Sequence, residues 1–219
     1  MAAADIITFL DSDDEAEPTW LESILQPFKS ADVGIACAGY RSIAHQAGRA
    51  TETVHLPEVG GPLYANQVVM FMAGAFAVRR QILLEVGGYR DQAARQQKEL
   101  GRRITAFAVA NGFRIATVSE PLVRWHQHEG ARISTDLIAV YAGTLSTIEH
   151  EGGSIRATSR REYARLRRSA AFNAMRLGLP RDAVHHLVLA VSSDPRDWRA
   201  YVRLGEASIA MLRQRAKRG

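Results

Sequence analysis

The sequence predicts an α/β protein: a sheet with flanking helices over residues 1–155, followed by a small all-helical, basic appendage over residues 156–219. Two observations carry this prediction. Short apolar, β-branched runs alternate with helical patterns in the first part, and no such run occurs in the last sixty residues. The charge also changes sign: fourteen basic and five acidic residues follow from Arg160 onward, against fourteen basic and eighteen acidic residues in 1–159. Such an asymmetry predicts two parts with different roles.

The composition restricts the class of protein. Of the 219 residues, 47% are hydrophobic and 23% are charged, which is typical of a globular chain and excludes a disordered or fibrous one. No apolar run approaches the ~20 residues that cross a bilayer. The first ten residues lack a basic segment typical of a secretory signal, and Cys37 is the single cysteine. These features predict a reducing, cytoplasmic environment.

Periodicity and breakers define the elements of the first part. A helix begins near Pro18, which is suited to a first helical turn, and Gly87-Gly88 is a helix stop signal. The predicted strands are 5–10, 33–43, 53–56, 68–78, 113–118 and 121–126, and the predicted later helices are 80–86, 92–110 and 134–150.

The appendage is predicted to form three helices, at 160–177, 181–193 and 197–215, separated by glycine and proline. Their facing apolar stripes weakly resemble tetratricopeptide packing over about one and a half repeats. The basic charge suits an anionic membrane surface or an acidic protein partner, or it is simply a solvated arginine-rich face. Nucleic acid is not an expected partner, because no interleaved aromatic and basic residues or recognised module occur.

An acidic cluster follows the first strand. Asp11, Asp13 and Asp14 lie where the strand ends and before the helix begins, which is the edge where open α/β sheets bind ligands. Neighbouring carboxylates repel one another unless a cation or solvent intervenes, and Mg²⁺ or Mn²⁺ prefers such oxygen ligands. The alternative is that these acids only favour a helix N-terminus. The pattern leaves both interpretations open.

Four blocks in order resemble family 2 glycosyltransferases, which have the GT-A fold. They are Phe9-Leu10-Asp11-Ser12-Asp13-Asp14 with the following Pro18-x-Trp20-Leu21, Gly74 to Arg80 with Val86-Gly87-Gly88-Tyr89, Gln96 to Leu100, and Pro121 to His128. The resemblance covers residues 5–134 and leaves out the appendage. It implies an inverting, metal-dependent transfer of a sugar from a nucleotide-sugar donor to a hydroxyl group of a glycan or other acceptor, in polysaccharide or glycoconjugate synthesis.

The resemblance also implies roles for individual residues. Asp13 and Asp11 would hold Mn²⁺ or Mg²⁺, with Asp11 near the metal or the ribose, and His128 would be a further ligand. Gly74 would allow a sugar to approach the backbone, although tight strand packing explains a glycine equally well. Arg132 would contact a phosphate or remain solvated.

The catalytic base departs from the family pattern. The usual aspartate falls on Gln97, whose amide cannot accept a proton at neutral pH. Glu99 is the nearest carboxylate and is the predicted substitute. The alternative is an ordinary helical glutamate paired with an arginine one turn later.

The chain also begins on the strand that carries the acidic motif, whereas relatives begin with a nucleotide-binding half. The interpretation is a carboxyl-terminal portion of a GT-A domain, inactive or weak alone. A non-catalytic binding or scaffolding remnant that uses the basic appendage is the main rival. A haloacid-dehalogenase-like phosphotransferase is disfavoured, because Glu15 stands where those enzymes carry Thr or Val.

Overall fold

The computed structural model describes residues 4–46, 49–91, 94, 96–127 and 136–216. The chain forms two compact units, one of residues 1–90 and 97–130 and one of residues 91–96 and 131–219. The predicted α/β class is confirmed, and the predicted boundary at residue 155 falls inside a helix of the second unit.

The strands of the first unit are β1 (Ile6–Thr8), β2 (Glu15–Ala16), β3 (Val33–Gln46), β4 (Arg49–His55), β5 (Glu58–Val59), β6 (Val68–Val69), β7 (Phe76–Arg79) and β8 (Arg114–Gln127). Its helices are α1 (Trp20–Leu25), α2 (Arg80–Glu85) and α3 (Gln96–Ala110), of which Gln96 belongs to the second unit. The main sheet has the order β1-β7-β3-β8-β2, with β4 paired to β3. Among the described strands of this sheet, β3 and β8 alone pair in parallel, and the other pairs are antiparallel.

The sheet of the first unit is buried on both faces where β3 is an uninterrupted apolar run, from Val33 to Gly39. Ile35 and Cys37 of β3 face the cluster that includes Ile82, Leu100 and Ile104 of α2 and α3. The intervening Ala36 and Ala38 face Ile24 of α1. The two-residue alternation of a strand therefore sends neighbouring side chains into two separate cores.

The predicted strands 68–78, 113–118 and 121–126 differ from the structure in their continuity. The run 68–78 is interrupted between β6 and β7, where Gly74 has a φ of +77° that an extended strand does not adopt. The runs 113–118 and 121–126 join into the single strand β8, and the pairing register to β3 shifts near Gly39, which accommodates Pro121 within the strand. Long-range pairing thus overrides the local breakers.

The helices of the second unit are α4 (Leu137–Thr158), α5 (Arg160–Arg176), α6 (Pro180–Ser193) and α7 (Trp198–Ala216). The predicted end of α4 before Gly152-Gly153 is wrong, since Gly152 is buried and the helix continues to Thr158. The three helices of the appendage agree with prediction. Their core consists largely of small residues, such as Ala170, Ala174 and Ala190, around Leu187. None of the described helices combines the length and the hydropathy that crossing a membrane requires.

Candidate functional site

The acidic loop of the first unit connects β1 to β2 and is anchored at both ends. β1 pairs with β7, and β2 pairs with β8 in the register Glu15 opposite Arg124. The Arg124 guanidinium also donates to Glu17 at 3.0 Å. Inside the loop the Asp14 amide donates to the Asp11 carbonyl at 3.1 Å, which closes a turn. Two distant strands therefore fix where the carboxylates lie.

The structure brings the three predicted carboxylates together. One carboxylate oxygen from each of Asp11, Asp13 and Asp14 lies within 4.8 Å of the others. Asp11 and Asp13 are exposed, whereas Asp14 is partly buried. The backbone amide of His126 donates to Asp14 Oδ1 at 3.3 Å. Asp14 Oδ2 is buried and has no hydrogen-bond partner among the described residues.

The electrostatics of the loop disfavour three bare negative charges. Burial raises the pKa of Asp14 to about 6, and the charges of Asp13 and Asp11 add to the rise, while the hydrogen bond from the His126 amide opposes it. Burial, followed by the charge of Asp13, also raises the pKa of Asp11. The cluster therefore favours a bound proton or a bound cation.

The cluster has the donor set of a hard-cation site. A buried carboxylate oxygen without a donor carries a large desolvation cost, which a cation would offset. Carboxylate oxygens are the ligands that Mg²⁺ and Mn²⁺ prefer. The residues present thus fit a divalent ion held by Asp11, Asp13 and Asp14, and Asp14 contributes the orphaned oxygen that the sequence did not single out.

Tyr89 is a neighbour of the cluster that sequence reasoning missed. Burial and the nearby charge of Asp11 raise the pKa of its hydroxyl to about 12. Its ring meets Phe9 edge to face at a centroid distance of 5.2 Å. The sequence placed Tyr89 in a motif block, directly after Gly87-Gly88. Its position beside the acidic loop depends on the tertiary fold.

Glu99 is buried, with 1% of its side chain exposed. Both carboxylate oxygens accept from the Arg103 guanidinium, and Oε1 lies 2.9 Å from Arg90 Nη1. Arg103 in turn donates to the carbonyls of Val86 and Gly88. This network fastens the turn that leads to Tyr89 onto α3.

Three predicted site residues remain, His128, Arg132 and Gly74, and His126 lies in the same motif block as His128. His126 Nε2 lies 3.4 Å from Glu15 Oε1, beside the acidic loop. His128 and Arg132 lie outside the described residues. Gly74 has a packing reason to be glycine, because a Cβ there would lie 2.5 Å from Val123 Cγ2. Its backbone carbonyl accepts a hydrogen bond from the Trp20 indole at 2.7 Å.

Comparisons with known proteins give a family match and a similar solved structure. Residues 1–87, which contain the acidic loop, match the model of glycosyl transferase family 2. The matched segment covers less than half of the 219 residues and includes the three carboxylates of the acidic loop. No curated protein matches the chain.

Among solved structures, the crystal structure of S. aureus TarS 1-349 in complex with UDP-GlcNAc is similar, at 12% identity and a TM-score of 0.45. The similarity covers 94% of this chain and 56% of that chain, so this chain spans little more than half the length of that relative.

Proposed function

We propose that this chain is the metal-binding part of a glycosyltransferase that moves a sugar, with inversion, from a nucleoside-diphosphate sugar to a hydroxyl acceptor. The observation that carries the proposal is the orphaned, buried Oδ2 of Asp14 beside two further carboxylates. The cluster lies in the segment that matches the family.

The chemistry of the loop suits a diphosphate leaving group. A divalent ion held by Asp11, Asp13 and Asp14 would neutralise the charge that develops on the departing diphosphate. Without a cation, the carboxylates would repel the diphosphate. They can therefore assist its binding only when a cation is bound between them and the diphosphate. Tyr89, His126 and the backbone of the loop orient this cluster rather than react.

Two interpretations of Glu99 lead to different experiments. By its place in the motif it is our candidate base. Its burial between Arg90 and Arg103 instead favours a structural role, since both carboxylate oxygens are engaged and an engaged oxygen does not accept an acceptor proton. The structural interpretation, together with Gln97 in the usual base position, supports the second candidate function, a non-catalytic binding protein.

Calorimetric titration tests the cation site. Mn²⁺ in the presence of a nucleoside diphosphate is expected to bind the wild-type chain, and Asp13→Ala is expected to lose binding at least about tenfold. Glu58→Gln, an exposed carboxylate outside the cluster, is the control for lost negative charge. Equal affinity of wild type and Asp13→Ala contradicts the proposal.

A transfer assay separates the two candidate functions. Radiolabelled nucleotide sugars with different sugars and bases are offered with hydroxyl acceptors in the presence of Mn²⁺. Turnover that Asp13→Ala abolishes supports the transferase. Cation and nucleotide binding without turnover or donor hydrolysis supports the binding protein.

A further inference from the structure

A groove in the second unit is a feature that the proposed function leaves unused. It lies between α5 and α7 and has a volume of about 690 Å³. Residues at helical spacing on one face of each helix line it: Arg165, Arg168, Ser169 and Phe172 from α5, and Trp198, Arg199, Val202, Arg203 and Glu206 from α7. Sequence periodicity on both helices therefore builds this surface.

The charge of the groove is strongly positive. Four arginines and one glutamate line it. Two of these arginines already have carboxylate partners, since Arg165 pairs with Glu162 at 2.9 Å and Arg168 with Asp197 at 3.1 Å. Arg199 and Arg203 have no carboxylate partner among the described residues. The groove thus retains two guanidinium groups that can bind an anion.

The aromatic residues of the groove hold these two guanidinium groups in place. Arg203 lies 4.9 Å from the centroid of the Phe172 ring, and Arg199 lies 5.6 Å from that of Trp198. A guanidinium stacked on a ring keeps its edge N–H groups available for a carboxylate. It also occupies a ring face that a sugar or a nucleobase would need for stacking.

A smaller cavity of about 190 Å³ adjoins the groove. It shares Phe172, Arg203 and Glu206 with the groove, and Ala171, Met175 and Leu187 add an apolar wall. The combination of an apolar pocket and neighbouring free arginines matches a peptide that carries an apolar side chain next to acidic ones. A bilayer surface has no comparable protrusion to enter a concave groove.

We propose that the α5–α7 groove docks an acidic peptide segment of a partner protein, whose carboxylates pair with Arg199 and Arg203 while one apolar side chain enters the adjoining pocket. This inference goes beyond the proposed transferase function and does not depend on it. It requires only the second unit's own residues.

The test uses the full chain and a fluorescein-labelled peptide of about ten residues, acidic throughout except for a central leucine. Fluorescence anisotropy measures its affinity. Arg199→Glu/Arg203→Glu changes the two free groove arginines, and Arg213→Glu/Arg215→Glu makes the same change of charge on exposed α7 positions outside the groove. Circular dichroism and thermal melting check that both variants remain folded.

The expected result is a loss of affinity of about tenfold or more in the groove variant, against less than about twofold in the control variant. Replacing the central leucine of the peptide by serine is expected to weaken binding further. Equal losses in the two variants, or equal affinity of the leucine and serine peptides, overturn the proposal.

Two competitors identify the class of partner. A single-stranded oligonucleotide and vesicles of phosphatidylserine and phosphatidylcholine are each tested for binding and for displacement of the peptide. If the oligonucleotide and the vesicles both bind more weakly than the peptide, and Arg199→Glu/Arg203→Glu does not change their binding, the result supports a peptide ligand. If either competitor binds more tightly than the peptide and loses this binding in that variant, the proposal is overturned.

Discussion

The backbone amide of His126 donates to the Asp14 carboxylate at 3.3 Å, although the two residues are 112 positions apart in the chain. This bond uses one oxygen of Asp14 and leaves Oδ2 buried without a partner among the described residues. The His126 amide, near the end of β8, engages Asp14 Oδ1 and leaves Oδ2 without a donor in the described part of the chain. The acidic loop is therefore a candidate cation site.

Asp14→Asn is expected to separate stability from binding. Since burial raises the folded-state pKa of Asp14 from 3.8 to about 6, the fold loses stability at this site as the pH rises through this window, and the loss is complete above about 6. At pH 8 the variant is expected to melt at a higher temperature than wild type, and below pH 4 the difference disappears. Calorimetry at the two pH values measures this, and Mn²⁺ titration is expected to show weakened binding. A lower melting temperature at pH 8 contradicts the electrostatic account.

The affinity of the cluster for a divalent ion is expected to rise with pH between about 5 and 7. A cation must displace the proton that Asp14 carries below a pKa of about 6, so binding releases a proton in this window. Titrations of Mn²⁺ in buffers of different ionisation enthalpy measure both affinity and proton release. A flat profile over this range would show that Asp14 is not a ligand.

Glu99→Gln is expected to destabilise the first unit by about 3 kcal/mol, because Arg103 loses its carboxylate partner in a largely buried position. Urea unfolding followed by tryptophan fluorescence measures the free energy of unfolding. Glu58→Gln, on an exposed carboxylate, is expected to change it by less than about 0.5 kcal/mol. Native stability combined with loss of transfer activity would instead support Glu99 as the base.

Gly74→Ala tests whether this glycine serves packing. The change adds a Cβ at a φ of +77° and 2.5 Å from Val123 Cγ2. Gly87→Ala has the same φ but open space around its Cβ, so it measures the backbone cost of about 1 kcal/mol alone. We expect Gly74→Ala to cost at least about 1 kcal/mol more than this control. Equal costs, with weakened donor binding in Gly74→Ala only, would favour a role in substrate access.

His186 is expected to remain neutral down to low pH. Burial and the neighbouring charge of Arg167 lower its pKa to about 4, and Arg167 contacts His186 Nδ1 at 3.1 Å. Between about 6.5 and 4 the unfolded chain binds more protons than the folded one at this site, so its contribution to stability falls as the pH falls. NMR titration of the imidazole measures the pKa, and a value near 6.5 would contradict the burial account.

Local patterns predicted most of the elements. The breaks at Gly87-Gly88 and at Pro180 mark where helices end or begin, and the run from residue 33 forms a strand, as predicted. The predictions are wrong where contacts with residues distant in sequence determine the structure. Helix α4 continues through the buried Gly152, and β8 accommodates Pro121 at a register shift.

By itself the sequence determined that three carboxylates follow the first strand and that the last helices carry a basic charge, because residue order and periodicity are local properties. Only the tertiary structure decided that Asp14 turns one oxygen to His126, that Glu99 is enclosed by two arginines and that Phe172 and Trp198 carry the free guanidinium groups. The physical reason is that a buried polar group must be satisfied by whatever the fold brings to it, and such partners are set by long-range pairing and packing.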